Sequence, residues 1–181
     1  ASLSAKGWSL VRPEVQALLE KVRRSGTPMG EYVEGRFYRG IVTGCNRAFV
    51  IDQVTRDRIV AEDPNSVEII KPWVRGRNIR RWSVEWDGEY LIFTRRGIEI
   101  RHYPGIEEYL AQFRDRLIPG AKGGRKAGSY EWYEIQDSIA YYGEFDEPKI
   151  MNAHFNTTPN FAYDERGILG NDKTYIIPQA S

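Results

Sequence analysis

The residues best suited to do chemistry form a basic cluster in the segment IIKPWVRGRNIRRW, residues 69–82. Five cationic side chains occur there within eleven positions: Lys71, Arg75, Arg77, Arg80 and Arg81. Guanidinium forks match the geometry of phosphates and of the guanine edge in the major groove, so the cluster predicts a nucleic-acid-binding surface. The alternative is a solvated bend between two buried strands, anchored by Ile70 and Trp73.

Two other segments could contribute to such a surface. The turn from Thr43 to Arg47 presents Asn46, whose amide can pair with adenine. Residues 119–130 contain four glycines and almost nothing apolar, which predicts an exposed, mobile loop. That loop carries the cations Lys122, Arg125 and Lys126. Its glycines are not preceded by an apolar strand, so a flexible loop is favoured over a phosphate cradle.

Signals for catalysis are weak. The spacing of Glu147 and Lys149 could serve a Mg²⁺-dependent nuclease, but such a site needs a further carboxylate from a preceding strand, and Pro148 removes a backbone donor from the strand itself. A turn that enters the next strand is the alternative. His102 and His154 lie far apart in the sequence, and Cys45 has no base placed with it. The sequence therefore predicts no catalytic residue, no metal ligand and no cofactor in this chain.

Composition limits the class of protein. The 181 residues carry a formal charge of +1, so any basic surface must come from local clustering. A single cysteine excludes an internal disulfide and suits a reducing compartment, so we expect a cytoplasmic protein. No apolar run reaches the roughly 18 residues of a membrane span, and we expect no membrane partner. The length predicts one domain over residues 1–181.

Hydrophobic periodicity predicts the helices that would position these residues. Apolar residues at helical spacing favour a helix that begins near Pro13, and a second one from Ile106 to Leu117 behind Pro104. Asp52 can cap a further helix, which is followed by a helical turn in PNSVEII.

Alternation and turn residues predict the strands. FYRGIVTGCNRAFVID is typical of a strand, a tight turn and a second strand, and Tyr90 to Phe93 of a buried central strand. PKIMNAHF, PNFAYD and KTYIIP indicate short strands. Strands and helices in irregular order predict an α+β or mixed α/β domain, with a mixed twisted sheet, a few amphipathic helices and long loops.

The order of several segments resembles a known family. YRGIVTGCNRAFVID, DPNSVEIIKPWVRGRNIRRW, EYLIFTRRGIEI, YPGIEEYLAQFRDRL, WYEI and PKIM together resemble the TaqI-type C-terminal specificity domain of adenine-specific DNA methyltransferases and fused restriction-modification enzymes. The resemblance runs from about Trp8 to about Pro178, which is nearly the whole chain.

The resemblance implies a target recognition domain for double-stranded DNA. In such enzymes a separate domain binds S-adenosylmethionine and methylates N6 of an adenine that is flipped out of the duplex. This chain then looks like a fragment of a larger methyltransferase or restriction-modification enzyme, which could also cleave DNA. Its partner would be the catalytic domain of the parent protein, and the chain alone would not be an enzyme.

The resemblance also divides the work among the basic segments. Family members that share a KPWVRGRNI-like motif read different DNA sequences, so these arginines would hold phosphates or the domain itself. Base choice would then belong to the variable loop 119–130, with Asn46 as a weaker candidate. The alternative to DNA binding is a module that binds a protein or a glycan through exposed Trp and Tyr.

Overall fold

The computed structural model of the 181-residue chain describes residues 2–4, 7–9 and 11–179. The chain divides into two compact units, Ala1–Phe37 and Tyr38–Ser181. The prediction of a single recognition domain over residues 1–181 stays a prediction.

The described residues of the smaller unit form two short strands and two helices. β1 (Ser2–Ser4) pairs antiparallel with β2 (Gly7–Ser9). α1 (Pro13–Ser25) is the amphipathic helix that the sequence predicts, and Pro13 occupies its first turn, where no intrahelical N–H is needed. A single turn, α2 (Met29–Tyr32), follows.

The larger unit holds the remaining elements. Its helices are α3 (Asn46–Phe49), α4 (Gln53–Glu62), α5 (Pro104–Ala111) and α6 (Arg114–Leu117). Its strands are β3 (Tyr38–Arg39), β4 (Val50–Ile51), β5 (Ile70–Val74), β6 (Ile79–Arg80), β7 (Ser83–Val84), β8 (Tyr90–Ile92), β9 (Lys149–Ala153), β10 (Phe161–Asp164), β11 (Leu169–Gly170) and β12 (Thr174–Pro178). Residues 38–179, the described part of this unit, also form 3-10 helices at Pro64–Ile69, Gly76–Asn78, Ile100–His102 and Tyr142–Phe145.

Two four-stranded sheets and one hairpin organise this unit. The first sheet has the strand order β10-β9-β12-β3, and its paired strands are antiparallel. The second has the order β11-β5-β8-β4 and is mixed, because β11 runs parallel to β5. β6 and β7 form the hairpin. Helices combined with antiparallel and mixed sheets confirm the predicted α+β class.

One hydrophobic core connects the helices and sheets of the larger unit. Trp73 and Phe49 are fully buried, as are Leu91 of β8 and Leu110 of α5. Burying each such side chain contributes roughly 1.5–3 kcal/mol. Ile70 and Trp73 therefore anchor β5, as predicted, and the basic residues that follow it are held close to the core.

Several local predictions are confirmed. Tyr90 to Ile92 form a strand between β5 and β4, with all three residues buried. The Asp52 side chain caps α4 by accepting a hydrogen bond from the Thr55 N–H at 2.8 Å. The predicted helix from Ile106 to Leu117 is instead two short helices, since α5 ends at Ala111.

The predicted hairpin over residues 37–52 is wrong. β3 pairs with β12, where Arg39 lies opposite Tyr175, whereas β4 pairs with β8. Between these strands α3 buries Ala48 and Phe49 in the core. Both strands are thus stabilised by partners more than 30 residues away in the sequence, and the local turn signal does not join them.

Candidate nucleic-acid interface

A basic groove of about 280 Å³ lies next to the hairpin of β6 and β7. We call it the arginine groove; it is lined by Arg75, Gly76, Arg77, Ile79, Arg80, Ala153, Phe155, Asn156, Asn160, Asn171 and Lys173. Its cations come from two distant parts of the sequence, and its asparagines offer both donors and acceptors. This mixture of side chains suits a phosphate backbone with adjacent base edges.

Close backbone approach builds one wall of the groove. A Cβ at Gly76 would lie 2.9 Å from the Lys173 carbonyl oxygen, so only glycine lets the turn after β5 pack against the loop that precedes β12. The Gly76 N–H donates to Asn171 Oδ1 at 3.3 Å. Asn78 braces the turn from inside, because its Oδ1 accepts from the Arg75 N–H and its Nδ2 donates to the Glu85 carbonyl.

The second wall is the turn between β9 and β10. The His154 N–H donates to the Lys173 carbonyl at 2.8 Å, which brings the two loops together. Asn160 Nδ2 donates to Asn156 Oδ1 at 3.1 Å across the turn. Phe155 leaves 74% of its surface exposed at the groove.

Each arginine of the groove has an acidic neighbour, but the pairs differ in strength. Arg75 donates to Glu89 at 2.6 Å with both side chains mostly shielded from solvent, which marks a structural pair. Arg77 lies 3.8 Å from Asp87 and is 66% exposed, and Arg80 forms an exposed pair with Glu85.

Exposed pairs contribute only about 0–1 kcal/mol, so Arg77 and Arg80 can exchange a carboxylate for a phosphate at little cost. Lys173 is also more than half exposed, and its ammonium lies 2.8 Å from Asp172. Arg81 is exposed and takes part in none of the ion pairs that the described residues form.

Lys71 lies at a different place. It is half-buried and lines a cavity of about 240 Å³ together with Glu68, Arg95 and Asp146. Lys71 is therefore not part of the arginine groove.

The turn from Thr43 to Arg47 is only partly accessible. Thr43 is 2% exposed, and its hydroxyl donates to Asn46 Oδ1 at 2.6 Å while it accepts the Cys45 N–H. The buried Thr43 side chain thus holds the turn, which corrects the prediction that it contacts DNA. Asn46 and Arg47 are exposed, and Arg47 borders a shallow cavity with Gln112 and Arg116.

Arg125 corrects the view of loop 119–130 most clearly. Its side chain is 3% exposed, so the prediction of an exposed cation is wrong. Its guanidinium donates to the carbonyl oxygens of Leu117, Trp132 and Glu134, with Leu117 at 2.6 Å and Trp132 at 2.8 Å. Longer bonds reach the carbonyls of Glu131 and Thr43.

Arg125 is buried because carbonyl oxygens near it need hydrogen-bond donors that the backbone does not supply. α6 ends at Leu117, and residues 131–134 form turns, so several buried oxygens need a donor. A guanidinium has five N–H donors and satisfies them together. Burial lowers the pKa of the Arg125 guanidinium, but its ordinary value is so high that the cation persists. Lys122 and Lys126 remain exposed on the same loop.

Lys149 of the proposed nuclease motif has a structural role. Lys149 is fully buried, and its ammonium donates to Asp164 at 2.8 Å and to the Phe145 carbonyl. Glu147 is exposed. Among the described residues, no group of three or more His, Cys, Asp or Glu side chains is arranged to hold a metal ion. Lys149 is the first residue of β9, so the alternative interpretation, a turn that enters the next strand, is confirmed.

Sequence reasoning missed the part of the groove that residues 153–173 form. Phe155, Asn156, Asn160 and Lys173 were not predicted as site residues, yet they line it with Arg77 and Arg80. The run HFNTTPN is rich in turn residues and carries one isolated aromatic, which is the signal that could have indicated a functional loop.

The family model of the TaqI-like C-terminal specificity domain matches residues 71–181. The chain belongs to this family. The arginine groove and loop 119–130 both lie in the matched part of the specificity domain, whereas the turn from Thr43 to Arg47 precedes it.

Solved structures support the fold of this specificity domain. MmeI, a type IIL restriction-modification enzyme whose structure was determined in complex with DNA, matches with a TM-score of 0.53 and 14% sequence identity. The match covers 80% of this chain and 19% of that chain, so the specificity domain spans about a fifth of the length of MmeI. No curated protein sequence matches. No helix in the described ranges is long and apolar enough to cross a membrane.

Proposed function

We propose that this specificity domain recognises double-stranded DNA for a site-specific, adenine-N6 DNA methyltransferase or restriction-modification enzyme. The observation that carries the proposal is the arginine groove, whose exposed cations Arg77, Arg80 and Lys173 converge beside three asparagines. S-adenosylmethionine and the methyl transfer belong to a catalytic domain that is distinct from this chain. The setting is the cytoplasm, where such enzymes meet DNA.

The groove and the loop do different work in this proposal. Arg77, Arg80 and Lys173 contact phosphates, which fixes the register of the domain on the duplex without reading sequence. Lys122 and Lys126 approach bases from loop 119–130, since both are exposed and neither is needed for the core. Arg75 and Arg125 hold the domain itself.

Salt dependence of duplex binding tests the proposal. A labelled duplex is titrated with the chain at several salt concentrations, and fluorescence anisotropy gives the affinity. Three phosphate contacts at about 0.9 each predict that log affinity falls against log salt with a slope of about 2.7. The absence of duplex binding at low salt would contradict the proposal.

The rival function is a module that binds a protein or a glycan. It is favoured by the exposed aromatics Trp82 and Phe155, each of which is 74% exposed. The affinity for a neutral glycan would barely depend on salt, whereas the affinity for DNA would fall steeply as salt rises. Methyl transfer or Mg²⁺-dependent cleavage by this chain alone would overturn the assignment of the chemistry to another domain.

A further inference from the structure

The tip of the β6–β7 hairpin exposes a tryptophan in an unusual conformation. Arg80 lies opposite Ser83, so Arg81 and Trp82 are the two residues of the turn. Trp82 has φ +75°, and 74% of its surface is exposed. A turn with a positive φ at its second central residue normally has glycine or asparagine there.

Folding alone does not account for this tryptophan. A bulky residue with positive φ is strained, because its Cβ crowds the neighbouring carbonyl oxygen. The exposed indole contributes little to the core in return. Strain of this kind persists only where surrounding structure enforces it, and here the Trp82 N–H donates to the Phe161 carbonyl at 2.7 Å.

The hairpin tip borders the arginine groove. Arg80 precedes the turn and lines the groove, and Phe161 directly follows Asn160, another lining residue. The charge beside the indole is positive, because Arg81 is exposed and pairs with no carboxylate among the described residues. An aromatic side chain fixed next to phosphate-binding cations is placed to meet a nucleobase.

We propose that Trp82 is a wedge that enters the DNA duplex at one base step and stacks on the face of a base that the opened step exposes, while the arginine groove holds the adjacent phosphates. This inference rests on the proposed function. Wedges of this kind partly unstack a step and kink the duplex, which lets more protein surface reach the phosphates. The strained backbone aims the indole before DNA arrives, so less entropy is lost on binding.

Trp82→Gly separates a DNA role from a structural one. Glycine adopts a positive φ without strain, which stabilises the folded state. Its greater entropy in the unfolded chain offsets part of this gain, so the unfolding equilibrium constant should fall about two- to fivefold. Loss of one base stack weakens duplex binding about 5- to 150-fold. The variant is therefore expected to be more stable and yet to bind DNA more weakly. The salt slope of about 2.7 that the arginine groove supplies is retained, because no charge is removed.

A duplex with 2-aminopurine at a TpA step, which unstacks easily, reports insertion directly. We expect its fluorescence to change with the wild-type chain and with Trp82→Phe, because the neighbouring base unstacks and the inserted ring stacks in its place, but not with Trp82→Gly. Phe155→Ala is the matched comparison, since Phe155 is equally exposed at the same groove, and it should preserve the change.

The outcomes distinguish the two proposals. The wedge is overturned, and the proposed function stands, if Trp82→Gly binds the duplex as tightly as the wild type. The same conclusion follows if the wild type binds the duplex but leaves the 2-aminopurine signal unchanged wherever the TpA step is placed in it. Absence of duplex binding by the wild type overturns both.

Discussion

Arg125→Met tests whether the buried guanidinium holds loop 119–130 to the core. The substitution leaves the carbonyls of Leu117, Trp132 and Glu134 without their donor. An unsatisfied buried group costs about 1–3 kcal/mol, so three of them set an upper range of about 3–9 kcal/mol. Methionine also removes the cost of burying the charge, which brings the expected loss to about 3–5 kcal/mol.

Urea denaturation followed by tryptophan fluorescence measures this loss as a lower midpoint at an unchanged slope. Lys126→Met is the matched control, because Lys126 is the next residue and is exposed; its stability should stay within about 0.5 kcal/mol of the wild type. Arg125→Lys keeps the charge but offers fewer donors, so its loss should be intermediate.

One pattern of results would refute this reasoning. If Arg125→Met were as stable as Lys126→Met and instead lost duplex affinity, the Arg125 side chain would face DNA, as the sequence alone predicts. A large loss of stability shared by Arg125→Met and Lys126→Met would also contradict it, since the effect would then not depend on the buried carbonyls.

Three further predictions concern the core and the loop. Asp164→Asn should lose about 3–5 kcal/mol, because it leaves the Lys149 ammonium buried without its anion. Burial alone would raise the pKa of the Asp164 carboxyl, but the Lys149 ammonium and the backbone N–H groups of Ile168 and Arg166 together lower it below 3.8. The stabilisation from these contacts should therefore be present above pH 3.8 and be lost as pH falls through the lowered value. Gly40→Ala should destabilise the fold by more than 1 kcal/mol, because its Cβ would lie 2.1 Å from the Asn171 carbonyl oxygen; thermal unfolding measures this. Lys126→Gln should change the preference among duplex sequences in a selection from a random library.

Each of these has its own control. Lys149→Met with Asp164→Leu should be more stable than Asp164→Asn, because no unpaired charge is buried, and less sensitive to acid than the wild type. Equal acid sensitivity in that double variant and the wild type would contradict the role of the pair. Gly143→Ala meets nothing within 4 Å and should be close to neutral. A uniform loss of affinity with no change in preference for Lys126→Gln would show that the reading element lies elsewhere.

Elements with a local cause could be predicted from the sequence. α1 and α4 follow from hydrophobic spacing and from the Asp52 cap, and β8 from its continuous apolar run. The anchoring of β5 by Trp73 follows from the same kind of pattern. These features depend on residues a few positions apart, which is the range that periodicity describes.

Features that depend on distant partners could not be predicted. The strands on either side of α3 belong to different sheets because their partners are β12 and β8, and no local residue specifies that choice. Arg125 is buried because of carbonyls left free by α6 and by residues 131–134. Lys173 joins the arginine groove through the packing of Gly76 against its carbonyl and the hydrogen bond from the His154 N–H to the same carbonyl.

The change in salt slope on removing Arg77 tests the arginine groove most directly. Arg77→Gln should lower duplex affinity for all sequences alike and reduce the slope of log affinity against log salt by about 0.9, the value for one phosphate contact. Arg58→Gln is the matched control, because Arg58 also forms a long, exposed ion pair, 3.9 Å from Glu62 on α4, and does not line the groove. An Arg77→Gln slope equal to those of the wild type and Arg58→Gln would contradict phosphate binding in the arginine groove.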